Sequence, residues 1–410
     1  AIAIGVYSAK SASLTATGTV GFVAHDCEAD IVGKIDGALK GSSTNETWYI
    51  AQGDNAEASE TEQTISLNSN AVKAGFGALN FAYDENHLAK PITFTFKVTN
   101  NSAFPIEVGF DFESVECNNV ERFMDNDMYL KIIPAHGNAE ITYSYKLVED
   151  ESTENAIAGN LAVSLKRANP TTKAKYLDMG YKFNTTGNGI IGIPSATTGE
   201  TSITIPSYYV DDDGTYKMVT LFGYDPTMAN VQTELGISSA LNESCATWQT
   251  ITLSNGINGL GLGSLSGVQT LASFQALMGG TDAVLLEDGV SKLKTVNMPS
   301  SLSTFGQYSL SYWKTIEDLT ITSGIKDLGT GFQNNTALKN VTINYGLKSI
   351  GAGAFNKCSN LIKIEIPNSV TSIGNSSFQG CTSLKSIELS NKTTIIGPWA
   401  FDGCTSLTSI

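Results

Sequence analysis

Two hydrophobic rhythms divide the chain. From Ser13 to Arg167 apolar and polar residues alternate in short runs, at 14–22, 47–50, 64–67, 92–98, 106–112, 128–133, 141–147 and 161–165. Successive side chains on a strand point to opposite faces, so each run predicts a strand with one face in a core. Turn-forming residues separate the runs, as at Asn100-Asn-Ser and Pro134-Ala-His-Gly-Asn. Short strands punctuated in this way predict an antiparallel β-sandwich over residues 13–168. Residues 169–175, starting Asn169-Pro-Thr-Thr, read as a linker.

Beyond the linker the rhythm changes to a longer one. Leu361-Ile-Lys-Ile-Glu-Ile-Pro, Leu384-Lys-Ser-Ile-Glu-Leu-Ser and Leu407-Thr-Ser-Ile recur every 23 residues, and so do Phe355, Phe378 and Phe401, Cys358, Cys381 and Cys404, and Gly374 and Gly397. Columns that share one period mark stacked coils, each of which buries its apolar side only against its neighbours. Stepping backwards, Leu338, Ile316, Leu293 and Trp248 hold the place of the leading Leu. The paired apolar positions that follow them are Val341/Ile343, Leu319/Ile321, Val296/Met298 and Ile251/Leu253, with Ile203/Ile205 the earliest. These pairs are expected to form parallel rungs of one sheet, neighbours about 4.8 Å apart, except across the long gap between Trp248 and Leu293. That gap has room for one further coil, and residues 264–278 read either as an amphipathic helix or as a degenerate repeat. The solenoid is expected over 176–410, with Ile410 falling inside an unfinished coil. The fold class is therefore mainly β, an antiparallel sandwich followed by a solenoid with a parallel sheet.

The repeat phrase Leu-x-x-Ile-x-Ile-Pro-x-x-Val-x-x-Ile-Gly-x-x-x-Phe-x-x-Cys resembles the BspA-type (Treponema pallidum-type) leucine-rich repeat of bacterial surface proteins. The likeness is close over 338–410 and looser over 176–337, where Asn335, Trp313 and Val290 take the Cys column. Tyr181-Lys-Phe-Asn, Ser202-Ile-Thr-Ile-Pro and Tyr216-Lys-Met-Val-Thr-Leu-Phe-Gly resemble the opening repeat of such arrays, with an acidic loop at Asp211 to Gly214. The resemblance implies a secreted or surface-anchored protein that binds or adheres, and it implies no catalytic residues. The sandwich resembles bacterial surface and matrix modules in layout only. An alternative role is that of a structural matrix or filament component assembled through the sandwich.

Charge narrows the choice of partner. The chain carries a net charge of −15, and residues 1–168 hold 23 Asp and Glu against 11 Lys and Arg. Such a surface repels phosphate backbones, so no nucleic-acid partner is expected. No apolar run approaches the roughly 20 residues that span a bilayer. Ala1 to Tyr7, followed by Ser-Ala-Lys-Ser-Ala, reads as the tail of a signal peptide over 1–12, the other reading being an ordinary first strand.

Candidate chemistry is sparse. The histidines His25, His87 and His136 stand in no metal or nucleophile motif. Asp211–Asp213 and Asp125–Asp127 lack the spacing of a calcium loop, so neither metal nor cofactor is expected. Cys245, Cys358, Cys381 and Cys404 belong to the repeat, where a small buried apolar side chain is the expected role. Cys27 and Cys117 have no repeat partner and are either a disulfide or two buried thiols. What remains is the outer side of the rungs. If the apolar pairs face inward, then Lys363, Glu365, Ser386, Glu388, Asn340, Thr342, Asp318, Thr320, Thr295 and Asn297 face outward in two columns. Polar, mixed in charge and poor in aromatics, these columns predict a broad shallow contact with a host or neighbouring-cell protein or glycan, or else a solvated face.

Overall fold

The computed structural model describes residues 27–53, 56–67, 72–86, 88–113, 120–124, 130–147, 156–184, 186–223, 244–261, 291–299, 301–306, 308–322, 324–344 and 346–410. Residues 1–12, the strand at 14–22, Cys117, His25, His87, Asp125–Asp127, Val290 and the segment 264–278 lie outside them.

The N-terminal part folds as two antiparallel sheets packed face to face. One runs in the order Thr47–Tyr49, Ala29–Asp36, Ile92–Asn100, Asn138–Leu147 and Val120–Met124, with Thr64–Leu67 also paired to Ala29–Asp36. The other runs Leu130–Ile133, Ile106–Glu113, Ala156–Arg167, Val72–Phe81 and Ala38–Leu39, with Ala51–Gln52 added to Val72–Phe81. Ile92–Asn100 shows why the sheets close: Ile92, Phe94, Phe96 and Val98 are buried in strict alternation. From that strand Phe96 stacks on Phe110 of the opposite sheet at 4.5 Å, and Phe94 meets Phe76 edge-on at 5.0 Å. Aromatic pairs of this kind add about 0.5–1.5 kcal/mol beyond the area they bury.

Among the described residues five strands, Ala29–Asp36, Val72–Phe81, Val120–Met124 and the two-residue Ala38–Leu39 and Ala51–Gln52, are absent from the expected set. In the first two, glycine hides the alternation. A Cβ on Gly33 would lie 2.5 Å from the Ile50 side chain, and one on Gly75 would lie 2.3 Å from the Ala56 carbonyl oxygen. Glycine stands there because another segment crosses the strand, which a turn-former reading mistakes for a break.

The segment read as a linker is partly helical. Helix α1 (Lys173–Asp178) starts at Thr172, whose hydroxyl accepts the Lys175 N–H at 3.3 Å. This N-cap satisfies one of the donors a helix start leaves open. Tyr176 on α1 meets Tyr181 edge-on at 5.2 Å, and both join the buried core of the first coils. The joint with the sandwich is a polar cluster of four residues. The Tyr208 hydroxyl donates to the buried Glu107 carboxylate at 2.7 Å, Lys166 pairs with the other carboxylate oxygen at 2.7 Å, and the Asn169 N–H donates to Tyr208 at 2.9 Å.

From Gly189 onward parallel strands stack into a three-sided solenoid. On the first side Ser202–Ile205, Thr250–Leu253 and Thr295–Asn297 pair in register, as do Asp318–Ile321, Asn340–Ile343 and Lys363–Glu365. Parallel bridges Glu365–Glu388 and Ser386–Ser409 carry this ladder onward. Ile251 sits opposite Val296, so the ladder crosses the long gap without an intervening rung. That corrects the expectation of an exception there. On the second side Gly189–Gly192, Leu221–Phe222, Gly259–Leu260 and Thr304–Phe305 pair, and so do Ser349–Ile350, Ser372–Ile373 and Ile395–Ile396.

The third side is made of turns bonded coil to coil. Here Phe332, Phe355, Phe378 and Phe401 stack at 5.4–5.5 Å with their rings within 11° of parallel. Beside them the Cys358, Cys381 and Cys404 thiols donate to the Phe332, Phe355 and Phe378 carbonyls at 3.1–3.2 Å. Burial pushes the Cys358 thiol up to about 12. Asn335 does the same work in its column: its amide donates to the Leu310 carbonyl at 2.7 Å, and its carbonyl accepts the Trp313 N–H at 2.8 Å.

Candidate functional site

All ten predicted face residues are exposed on the first side, while Val296, Leu319, Val341, Ile364 and Ile387 between them are buried. Neighbouring rungs are linked through their polar side chains. Asn297 donates to Thr252 at 3.0 Å and Asn340 to Asp318 at 2.7 Å. Lys363 pairs with Glu365 on its own rung; hydrogen bonding to Glu365 raises the Lys363 pKa, and the reverse bond lowers that of Glu365. Cys27 is buried within the sandwich core. His136 lies in an exposed turn with φ of 54°. Asp212 and Asp213 form the exposed turn of a hairpin between Tyr208–Val210 and Tyr216–Met218.

The face is not continuous: the rungs form two parallel sheets rather than the one expected. Among the described residues Thr295–Asn297 pairs only with the rung before it, and Asp318–Ile321 only with the rung after it. The second side is interrupted between the same two coils, since Thr304–Phe305 pairs only backward and Asp327 bridges forward to Ser349. The third side stays closed, with Leu310 N–H to Gly331 and Tyr312 N–H to Gln333, both at 2.9 Å. Two coils are thus hinged along one side and splayed along the other two.

A cleft of about 600 Å³ fills the splay on the first side, between Lys294–Met298 on one wall and Thr315, Glu317, Asp318, Thr320 and Thr322 on the other. It brings together Thr295, Asn297, Asp318 and Thr320 of the predicted residues; Asn340, Thr342, Lys363, Glu365, Ser386 and Glu388 continue the face beyond it. Hydroxyl groups span the gap. Thr315 donates to the Leu293 carbonyl, and Thr322 donates to the Pro299 carbonyl at 3.1 Å.

In a parallel ladder alternate residues bond to alternate neighbours. The Asn340 N–H reaches the Glu317 carbonyl and the Asn344 N–H the Ile321 carbonyl, so the peptide groups of Asp318 and Thr320 turn toward the cleft. On the other wall the Thr295 N–H reaches Gln249, which turns Val296 to the cleft. An even 23-residue period does not predict this opening. Its trace in the sequence is Trp313, a large ring in a column that elsewhere holds the smaller Val290, Asn335, Cys358, Cys381 and Cys404. It is fully buried on the closed side of the splayed pair.

The profile described as "BspA type Leucine rich repeat region (6 copies)" matches residues 288–370 and 330–410. Residues 288–410 are BspA-type leucine-rich repeats. These repeats include both walls of the cleft and every predicted face residue, and the ladders extend upstream of them to Gly189. Among solved structures the chain is similar to a leucine-rich repeat protein of T. pallidum, at 20% identity over 58% of this chain and 91% of that one, TM-score 0.39. It is also similar to a leucine-rich cell surface protein of Faecalibacterium prausnitzii A2-165, at 21% identity over 56% of this chain and 52% of that one, TM-score 0.35. A third, from Bacteroides ovatus, shares 16% identity over 56% of this chain and 68% of that one, TM-score 0.27. Superpositions this loose add nothing to the site. No curated protein matches the chain closely enough to be counted.

Proposed function

We propose that the protein works by binding at a cell surface, with the outer face of the first ladder in contact with protein or glycan on another surface. The observation that supports this most is the division of labour along each rung. The inward residues hold the core, and the outward ones are exposed and free to differ without cost to folding. The BspA-type repeats favour binding over catalysis. A face with few aromatic anchors draws its affinity from area and from many weak contacts in parallel.

The test is the triple substitution Lys363→Ala, Glu365→Ala and Glu388→Ala. Circular dichroism and thermal melting should match the parent, and beads coated with the variant should detach from a fixed epithelial monolayer under milder washing. Equal attachment by a folded variant removes this part of the face from the binding surface.

A further inference from the structure

We propose that the cleft between Thr295–Asn297 and Asp318–Ile321 is a binding site for a neutral saccharide unit, a proposal that rests on reading the first-ladder face as a contact surface. Its width selects the ligand. Some Cα atoms of the two strands lie within 8 Å of each other, yet no ladder bond joins them. An inserted strand would need two inter-strand steps, about 9.6 Å. The gap between the strands therefore refuses a peptide backbone, while a ring lying over it in the cleft can send hydroxyl oxygens between the walls, each within about 2.9 Å of the group it bonds.

The chemistry of the walls selects further. Val296 on one side and Asp318 and Thr320 on the other present both N–H and C=O groups, and threonine hydroxyls stand at the edges. A ligand that meets donors and acceptors at once must carry groups that are both, and the hydroxyl is that group. Met298 supplies apolar surface for the C–H side of a ring. Glu317 and Asp318 outnumber Lys294 on the walls, which disfavours acidic sugars. The volume of about 600 Å³ lies within the usual range of small-ligand sites, about 300–1,000 Å³.

The cleft is also held open before any ligand arrives. Along the closed side Asn335 clasps Leu310 and Trp313, and Phe305 meets Phe332 at a tilt of 47° where the later rings lie parallel. A site already in its bound shape loses less freedom on binding.

Saturation-transfer NMR on the full chain tests this, with glucose, galactose, mannose, N-acetylglucosamine and N-acetylgalactosamine as probes and sialic acid as the acidic comparison. At least one neutral sugar should receive saturation, and sialic acid should receive none. Thr320→Trp, which fills the cleft, should weaken that sugar at least tenfold, and the milder Asn297→Ala with Thr295→Val should weaken it several-fold. Lys217→Ala, on the distant hairpin, should leave it unchanged. Failure of every neutral sugar, equal transfer to sialic acid, or binding that survives in both folded cleft variants overturns the proposal. Binding of an alanine- and serine-rich peptide in place of any sugar also overturns it. Sugar failure with surface attachment intact defeats the cleft alone. Sugar binding with attachment unchanged in the Lys363, Glu365 and Glu388 triple variant defeats the wider face alone.

Discussion

Phe378→Ala measures how far the repeat core acts as one column. The ring is fully buried and stacks on Phe355 at 5.5 Å and on Phe401 at 5.4 Å. Truncating a buried Phe to Ala costs about 3–5 kcal/mol, counting lost transfer energy and the cavity left behind. Loss of two ring contacts, about 0.5–1.5 kcal/mol each, places this site in the upper half of that range. In a solenoid the loss falls on one coil and its two interfaces, so it should appear as early melting of the coils around 372–404 rather than as an even drop over the chain. Urea unfolding followed by amide exchange reads both quantities. Phe401→Ala supplies the comparison: Phe401 is only partly buried and, among the described residues, stacks on Phe378 alone, so its cost should be about half as large. A Phe378→Ala loss below about 1 kcal/mol, or one no larger than that of Phe401→Ala, refutes the column argument.

Tyr208→Phe removes a hydroxyl that serves the buried Glu107 and the Asn169 N–H at 2.7 and 2.9 Å. Hydrogen bonds to charged groups contribute about 1.5–3 kcal/mol, so calorimetry should show a loss of about 2 kcal/mol and a wider separation between sandwich and solenoid transitions; superimposable scans would contradict this. Burial pushes Tyr181 from 10.0 up to about 12. Its unfolded form therefore ionises first, and the stability it contributes is complete below pH 10 and falls as the pH rises to about 12. Tyr181→Phe should flatten the alkaline decline in melting temperature over that window, and an unchanged slope would assign the decline to other groups.

The solenoid was legible because its signal is redundant. Leu361, Ile364, Phe355 and Cys358 each repeat on their own, and any one column predicts the register of the rest. The sandwich was legible only where side chains alternate plainly, as in Ile92–Asn100. It was lost at Gly33 and Gly75, whose reason is a neighbouring segment that local pattern does not contain. The ten face residues followed from alternation, which local sequence carries. The cleft among four of them did not, because it depends on whether adjacent coils lie flat on one another. Only the large ring of Trp313, in a column of smaller residues, hints at that, and a single substitution does not say which side of a coil will open.

The coil-to-coil hydrogen bonds of this solenoid lie roughly along its long axis, so tension along that axis passes through every junction in series. Each junction downstream of Asp318 shares the pull between a backbone ladder, a stacked ring and a bonded turn. The splayed junction has its turn bonds on one edge and threonine hydroxyls on the other, so load reaches it off centre. The bonds at Thr315 and Thr322 are strained first, and the pair opens like a jaw about Leu310 and Tyr312 before any intact ladder shears. A solenoid built this way is expected to extend at one chosen place under load while the rungs on either side of it stay folded.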